Sequence, residues 1–392
     1  MGGLRAAPAH IAYGKEAIFI ATQELHHLLR QFRLEDDDAE MLTQRELTEG
    51  HINSTYFLEA KGASGTRRYI LQKINTFVFE NPAELMENIV RVTNFLRERI
   101  AAQKSSSQLT KAMQVYPTRG GKWFFVDEAG GCWRCYNFVE NTYSLQAAGN
   151  NIAATQAARA FGDFQRLLDG FPIGQLHETI PNFHHTKKRY DALEEAIAAN
   201  TAGRKAAVGP EIAFARARKN DASRLLELQA AGQLPLRVTH NDTKLNNVLF
   251  DCGTDEAVCV VDLDTVMPGL SLYDFGDSLR FLGNTAAEDE RDLRKVRFSM
   301  PLFRAYTQGY LKTAAAALTP QEVRQLPFSV KLMTYECGMR FLTDYLNGDV
   351  YFRIRRPDDN LARCRTQFRL VEEIEAQLPA MEEFVEDFLK KP

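Results

Sequence analysis

The run His240-Asn241-Asp242-Thr243-Lys244-Leu245-Asn246-Asn247 puts a carboxylate, an ammonium two residues on and a carboxamide five residues on into one short segment. That spacing suits phosphoryl transfer. The reaction needs a carboxylate to orient an acceptor hydroxyl and a neutral oxygen ligand to help hold Mg²⁺. Asp242 and Asn247 meet those two needs, and Lys244 offsets charge on the moving phosphoryl group. Asn246 lacks the five-residue offset, and His240 reads as a residue that fixes the loop backbone. The apolar run Ala257 to Val261 reads as a short buried strand with Asp262 at its end. Hard cations prefer carboxylate oxygens, so Asp262 is the expected Mg²⁺ ligand, with Asp264 as a second one, direct or through water.

Tyr273-Asp274-Phe275-Gly276 contains the three letters of another metal-binding motif, but its position argues against that use. Asp274 stands 27 residues beyond Asn247, whereas Asp262 stands 15 beyond and ends the strand. Met267-Pro268-Gly269 reads as a turn, after which Asp274 is expected to cap a helix starting near Phe275 and to buttress the loop. Upstream, Gly50 to Tyr56 is the best phosphate cradle, with Asn53, Ser54 and Thr55 toward the phosphates. Lys73 ends the strand Tyr69 to Lys73, where a lysine reaches the α- and β-phosphates. Glu84 and Glu87 compete to pair with it, and Glu87 is preferred. Phe138-Val139-Glu140 is the expected adenine-facing hinge. No GxxxxGK[ST] is present, which excludes a P-loop enzyme.

These residues need a scaffold. Residues 1–48 read as a loose tail and then helix, with Glu35 to Asp38 on a solvated turn. Strands are expected over His51 to Ala60 and Arg68 to Ile74, then a helix from Pro82 with Asn81 as N-cap. Three more strands follow near Gln114, Trp123 and Trp133, with turns at Gly120-Gly121 and Gly130-Gly131. From Asn151 the chain reads as helices, roughly 151–169, 184–200, 210–231 and several over 286–389, interrupted by the strand-and-loop segment carrying Asp242, Asn247 and Asp262. The expectation is an α+β, bilobed, protein-kinase-like fold. Residues 1–139 form a nucleotide-binding lobe with a small antiparallel sheet and one helix, and residues 140–392 form a mainly helical catalytic lobe.

Composition narrows the partners. With 392 residues, 45% hydrophobic and 25% charged, the chain is ordinary for a globular protein. A net charge of −3, with basic residues scattered among acids, gives no nucleic-acid footprint. No apolar run reaches the ~20 residues of a membrane span, and the opening Met1 to Ala6 lacks a signal-peptide core. Six cysteines without a dense framework suit a reducing compartment, so a cytoplasmic location is expected. Cys132-Trp133-Arg134-Cys135 lacks a second ligand pair nearby and is read as strand rather than as a zinc or redox site.

The run His240 to Asp251, with Val261-Asp262-Leu263-Asp264 and Tyr273-Asp274, resembles the aminoglycoside phosphotransferase/choline kinase-like family. More narrowly, HNDTKLNNVLFD, VVDLDTVMPG with SLYDFGDS, and RFLTDYLNGDVYF (Arg340 to Phe352) are similar to N-acetylhexosamine 1-kinases. The resemblance implies ATP and Mg²⁺ as cofactors, and phosphorylation of the anomeric hydroxyl of GlcNAc or GalNAc with Asp242 as catalytic base. It also implies Arg340 and Tyr351 as sugar contacts; the same two residues are equally consistent with an Arg340–Glu336 ion pair and a core tyrosine. Many aminoglycoside kinases carry His where this chain has Lys244, which weighs against antibiotic modification. The alternatives are a kinase of choline, methylthioribose or aminoglycoside type, and a nucleotide-binding pseudokinase. A protein kinase is disfavoured because a three-glycine loop and an Ala-Pro-Glu after the metal Asp are missing.

Overall fold

The structure is a computed structural model, and it describes residues 22–35, 40–47, 52–103, 108–146 and 151–390. The expected cradle residues Gly50 and His51, the acids Asp36 to Asp38 and the N-terminal tail lie outside these.

Helix α1 (Thr22–Leu29) precedes strand β1 (Glu40–Leu47), where continued helix was expected. Strands β2 (Ser54–Gly62) and β3 (Gly65–Ile74) form a hairpin closed by Ala63-Ser64, and Gly65 at φ 113° takes the conformation that a side chain resists. Helix α2 (Pro82–Ala102) starts as its sequence dictates, with Asn81 accepting from the Glu84 amide and proline in the first turn. Strands β4 (Val115–Tyr116), β5 (Phe125–Val126) and β6 (Cys132–Asn137) complete an antiparallel sheet ordered β1-β2-β3-β6-β4, with β5 on β6. Glu35, expected on a solvated turn, instead accepts from the hydroxyls of Tyr69 and Tyr116 at 3.1 and 2.7 Å.

This sheet has two faces with different jobs, because side chains alternate along a strand. Tyr69, Leu71, Trp133 and Cys135 pack with α1 on the outer face. Ile74, Cys132 and Tyr136 pack on the inner face with α2 and with residues of the helical lobe. Cys132 and Cys135 therefore lie on opposite faces as buried free thiols, a placement unsuited to one shared metal.

Beyond β7 (Thr142–Tyr143), the second lobe is built from α3 (Asn151–Leu167), α4 (Thr186–Ala199), α5 (Gly209–Ala217) and α6 (Asp221–Ala230). The last two replace the single helix expected over 210–231. Strands β8 (Arg237–Thr239), β9 (Val248–Asp251), β10 (Ala257–Val260) and β11 (Met267–Gly269) carry the intervening loops. Met267 to Gly269, expected as a turn, is instead a strand antiparallel to β8. Helices α7 (Ser271–Leu282), α8 (Met300–Ala314), α9 (Pro320–Asn347) and α10 (Asp359–Leu389) close the fold. The fold is the expected one: an antiparallel-sheet lobe with one long helix, and a large helical lobe.

Asp274 sits in the first turn of α7 instead of capping it, since the N-cap position is Leu270. Gly276 lies where α7 crosses α9, and a Cβ added there would collide with the Ser329 carbonyl oxygen. The glycine is there for close helix contact. Gly276→Ala is expected to lower stability by about 1–3 kcal/mol through overpacking, despite alanine's better helix propensity. Urea unfolding checks this, and an unchanged or higher midpoint would show that the crossing is looser than described.

Candidate active site

The loop after β8 is held from below by one buried carboxylate. Asp274 accepts from the amides of His240 and Asn241 at 2.9 and 2.7 Å and from Gln165 Nε2 at 3.0 Å. Burial pushes this carboxyl up, while His240 and the two amides pull it down. Its own carbonyl accepts from Thr243 Oγ1, and Thr243 O accepts from Ser278 Oγ. The imidazole of His240 lies edge-on to Phe161 and Phe164, accepts from the Asp242 amide at Nδ1 and donates from Nε2 to Val261 O at 2.9 Å. A single proton on Nε2 satisfies both bonds. His240 thus ties the loop to the end of β10.

Asn241 (φ 64°) and Asp262 (φ 60°) both adopt the left-handed conformation that short polar residues tolerate best. Such backbone persists where the surroundings over-determine it. Asn241 donates to Thr265 O at 2.8 Å, Thr265 Oγ1 donates to His240 O at 2.6 Å, and the Val261 amide donates to Asn247 O at 2.9 Å. Three straps thereby bind the Asp242 loop to the Asp262 turn.

Asp242, Asn247 and Asp262 come together. Asn247 Nδ2 donates to Asp242 O at 2.8 Å and to Asp242 Oδ2 at 3.3 Å, so neither of these bonds occupies the amide oxygen. Lys244 Nζ is 2.8 Å from Asp242 Oδ1. Burial works against the Lys244 charge, and the Asp242 carboxylate outweighs it, holding the ammonium above its usual range. Asp262 opens onto the cleft, yet the protein around it, together with the Asp264 and Asp242 carboxylates, pushes its carboxyl up to about 6. Because the side chain still reaches solvent, the like charges are the firmer of these causes. Among the described residues no three His, Cys, Asp or Glu side chains are grouped so as to hold a metal ion by themselves. Mg²⁺ needs no such group, since it is commonly held by one or two carboxylates plus substrate phosphates and water. The crowded oxygen donors fit a hard cation.

Asp264 is placed differently. It is buried, its Oδ2 accepts from Asn53 Nδ2 at 2.6 Å, and its Oδ1 lies 2.5 Å from Arg134 Nη2, off the direction of a good hydrogen bond. It is held by protein on both oxygens. Asn53 also accepts from the Asn75 amide, so this cradle residue reaches the cleft floor. Thr55 faces inward and accepts from Gln72 Nε2 at 2.9 Å.

Lys73 and Ser54 stand opposite one another in the β2–β3 register, and Lys73 also opposes Trp133, on the outer face. The Lys73 ammonium lies 5.5 Å from the Trp133 ring centroid, away from the inner face. The expected Lys73–Glu87 pair is not formed: Glu87 meets Arg91 at 2.8 Å and His177 at 2.9 Å. At the expected hinge, Val139 O and Glu140 O accept from Thr142 Oγ1 and Lys111 Nζ.

Arg340 and Tyr351 lie together. The guanidinium carbon of Arg340 is 5.9 Å from the Tyr351 ring and 5.4 Å from that of Phe352. Asp344 fixes this segment by accepting from the amides of Val350, Tyr351 and Phe352 at 2.8–2.9 Å, and Tyr351 remains 66% exposed. Glu336 engages His184 and Thr186, so neither the alternative ion pair with Arg340 nor the core tyrosine is what forms. His184 in turn contacts Asn241 O at 3.3 Å, linking this region to the loop. Sequence reasoning missed Arg189, which is half-buried beside Arg340: burial and the Arg340 charge hold its guanidinium below the usual range. It also missed Arg134 and Gln72. Alternation along β3 and β6 carried that signal, had the inner face been identified.

The raised Asp262 carboxyl gives a pH expectation. The folded protein keeps a proton between about pH 4 and 6 that the unfolded chain has released, so this group's contribution to stability falls as pH rises through 6. Without divalent cations, Asp262→Asn should melt at or above the parent's temperature at pH 8, with the gap narrowing toward pH 5. Added Mg²⁺ should raise the midpoint of the parent alone. A clear loss of stability for the variant at pH 8 in chelated buffer would mean that the carboxylates are not crowded.

Residues 43–315 match a family described as the phosphotransferase enzyme family. Among solved structures, an aminoglycoside phosphotransferase from Alicyclobacillus acidocaldarius superposes with a TM-score of 0.58 at 13% identity, covering 92% of this chain and 96% of that one. A microcompartment-associated aminopropanol kinase gives 0.57 at 17% identity over 92% and 99%. A spectinomycin phosphotransferase in complex with ADP and spectinomycin gives 0.55 at 14% identity over 92% and 99%. At these identities the likeness is one of fold.

Proposed function

We propose that this chain, which belongs to the phosphotransferase enzyme family, is an ATP- and Mg²⁺-dependent kinase that phosphorylates the anomeric hydroxyl of an N-acetylhexosamine to give the sugar 1-phosphate. The observation that carries the proposal is the meeting of Asp242, Asn247 and Asp262 on one cleft floor, with Lys244 beside Asp242. Asp242 orients the acceptor hydroxyl and takes its proton. Lys244 leaves Asp242 a charged neighbour and can turn toward the transferring group. Asn247 and Asp262 would hold Mg²⁺, which when bound supplies charge neutralisation at the nucleotide phosphates. Asn53 and Thr55 line the nucleotide side, and the lobe boundary is placed at residues 139 and 140. Positioning and electrostatics carry the rate in such transfers.

The acceptor side favours a neutral, oxygen-rich substrate. Arg189 and Arg340 lie within electrostatic reach of each other, and Glu336, an acid that acts on both, is engaged by His184 and Thr186. A quaternary ammonium or aminoglycoside would bring further positive charge to two guanidiniums. Ring hydroxyls and an acetyl carbonyl would instead accept from them, with the exposed Tyr351 ring as a stacking face. On this reading the acceptor differs from those named for the aminopropanol and spectinomycin enzymes.

Purified protein with ATP, Mg²⁺ and a panel of N-acetylhexosamines, hexoses, choline, aminopropanol and aminoglycosides should yield a sugar 1-phosphate signal by ³¹P NMR with N-acetylhexosamines only. Turnover of a cationic acceptor would overturn the acceptor reading. Asp242→Asn should keep ATP binding while losing ~10²–10⁴-fold in turnover, the usual worth of general-base assistance. Unchanged turnover would remove Asp242 from its role.

A further inference from the structure

The inner face of the N-terminal sheet carries a buried cation for which the reading above has no use. Arg134, on β6, is 1% exposed. Its Nε and Nη2 donate to Gln72 Oε1 at 2.9 and 2.6 Å, and Nη2 lies 2.5 Å from Asp264 Oδ1. Gln72 continues to Thr55 Oγ1, while Asp264 continues through Asn53 to the Asn75 amide. One chain of contacts thus joins β2, β3 and β6 to the Leu263–Thr265 turn that begins at Asp262. Desolvating a guanidinium is costly, so a buried arginine is sustained only by a partner of opposite charge and well-placed acceptors. Both are present. Meanwhile Lys73 faces the other side of the sheet.

We infer that Arg134, and not Lys73, is the cation that the N-terminal sheet contributes to the nucleotide site, acting as a positioning residue that holds Asp264 so that Asp262 alone presents its carboxylate to the cation. This rests on the phosphotransfer reading of the cleft. Asp262 and Asp264 stand two residues apart on one tight turn, where like charges repel. Clamping Asp264 between Arg134 and Asn53 neutralises one of the two charges and ties the turn of the helical lobe to the N-terminal sheet. Metal affinity then depends on a residue that never touches the metal, as happens when outer partners orient a ligand.

The test titrates ATP calorimetrically into the full-length protein over a range of Mg²⁺ concentrations. Arg134→Met should raise the Mg²⁺ needed for half-maximal binding by about 10–100-fold, the usual effect of losing an outer partner. Arg134→Lys should recover part of that loss. Lys73→Met should shift it by no more than about threefold, as for a surface change. If Arg134→Met fails to fold, the double variant Arg134→Met/Asp264→Asn removes the orphaned charge, and its Mg²⁺ requirement should exceed that of Asp264→Asn alone, because the turn has lost its tie to β6. An unshifted Mg²⁺ requirement in whichever Arg134 variant folds, or a tenfold shift in Lys73→Met, overturns the inference. Should the parent bind no nucleotide, the kinase reading itself falls, an outcome distinct from a parent that binds and an Arg134 variant that matches it.

Discussion

Three carboxylates converge at the floor of the cleft, and their mutual repulsion is the constraint around which the site is built. Asp242 arrives on the loop after β8, while Asp262 and Asp264 arrive on the turn after β10. The raised Asp262 carboxyl records the crowding. Each neighbour is met differently: Lys244 stands against Asp242, Arg134 and Asn53 enclose Asp264, and among the described residues Asp262 alone of the three is exposed without such cover. A divalent cation would complete the balance. The arrangement is held by Asp274, whose two amide bonds fix His240 and Asn241, and by the bonds from Thr265 to His240 and from the Val261 amide to Asn247.

Much of this was legible in the residues. The five-residue offset from Asp242 to Asn247 and the apolar run ending at Asp262 define chemistry locally, since each lies within one loop or one strand. The N-cap at Asn81 and the glycine turns are also local, and they formed as their residue types require. What failed was non-local. A β-strand over Glu40 to Leu47, with alternation masked by Thr43, Gln44 and Arg45, becomes one only by pairing with β2. Lys73 and Gln72 are adjacent, and a shift of one residue reverses which faces the cleft. Nothing within the strand decides between them; α1 and α2, packing on opposite faces, do. The Glu87 choice failed for the same reason, because its partners His177 and Arg91 come from a distant loop and from its own helix.

Fold and acceptor specificity separate in this architecture. Solved structures named for aminoglycoside, aminopropanol and spectinomycin enzymes share the fold at 13–17% identity, so the scaffold leaves the acceptor open. In the function proposed above, the acceptor side would be formed by α4, α9 and the segment pinned by Asp344. Two guanidiniums and an exposed aromatic ring lie together there, the basis of the proposal that the acceptor offers hydroxyl and carbonyl oxygens.

A crystal structure with Mg²⁺ and a non-hydrolysable ATP analogue tests the central claim most directly. The account predicts a cation contacting the Asn247 amide oxygen and the Asp262 carboxylate, with the terminal phosphate directed at Asp242. A cation seated elsewhere, or a nucleotide bound outside this cleft, would contradict it.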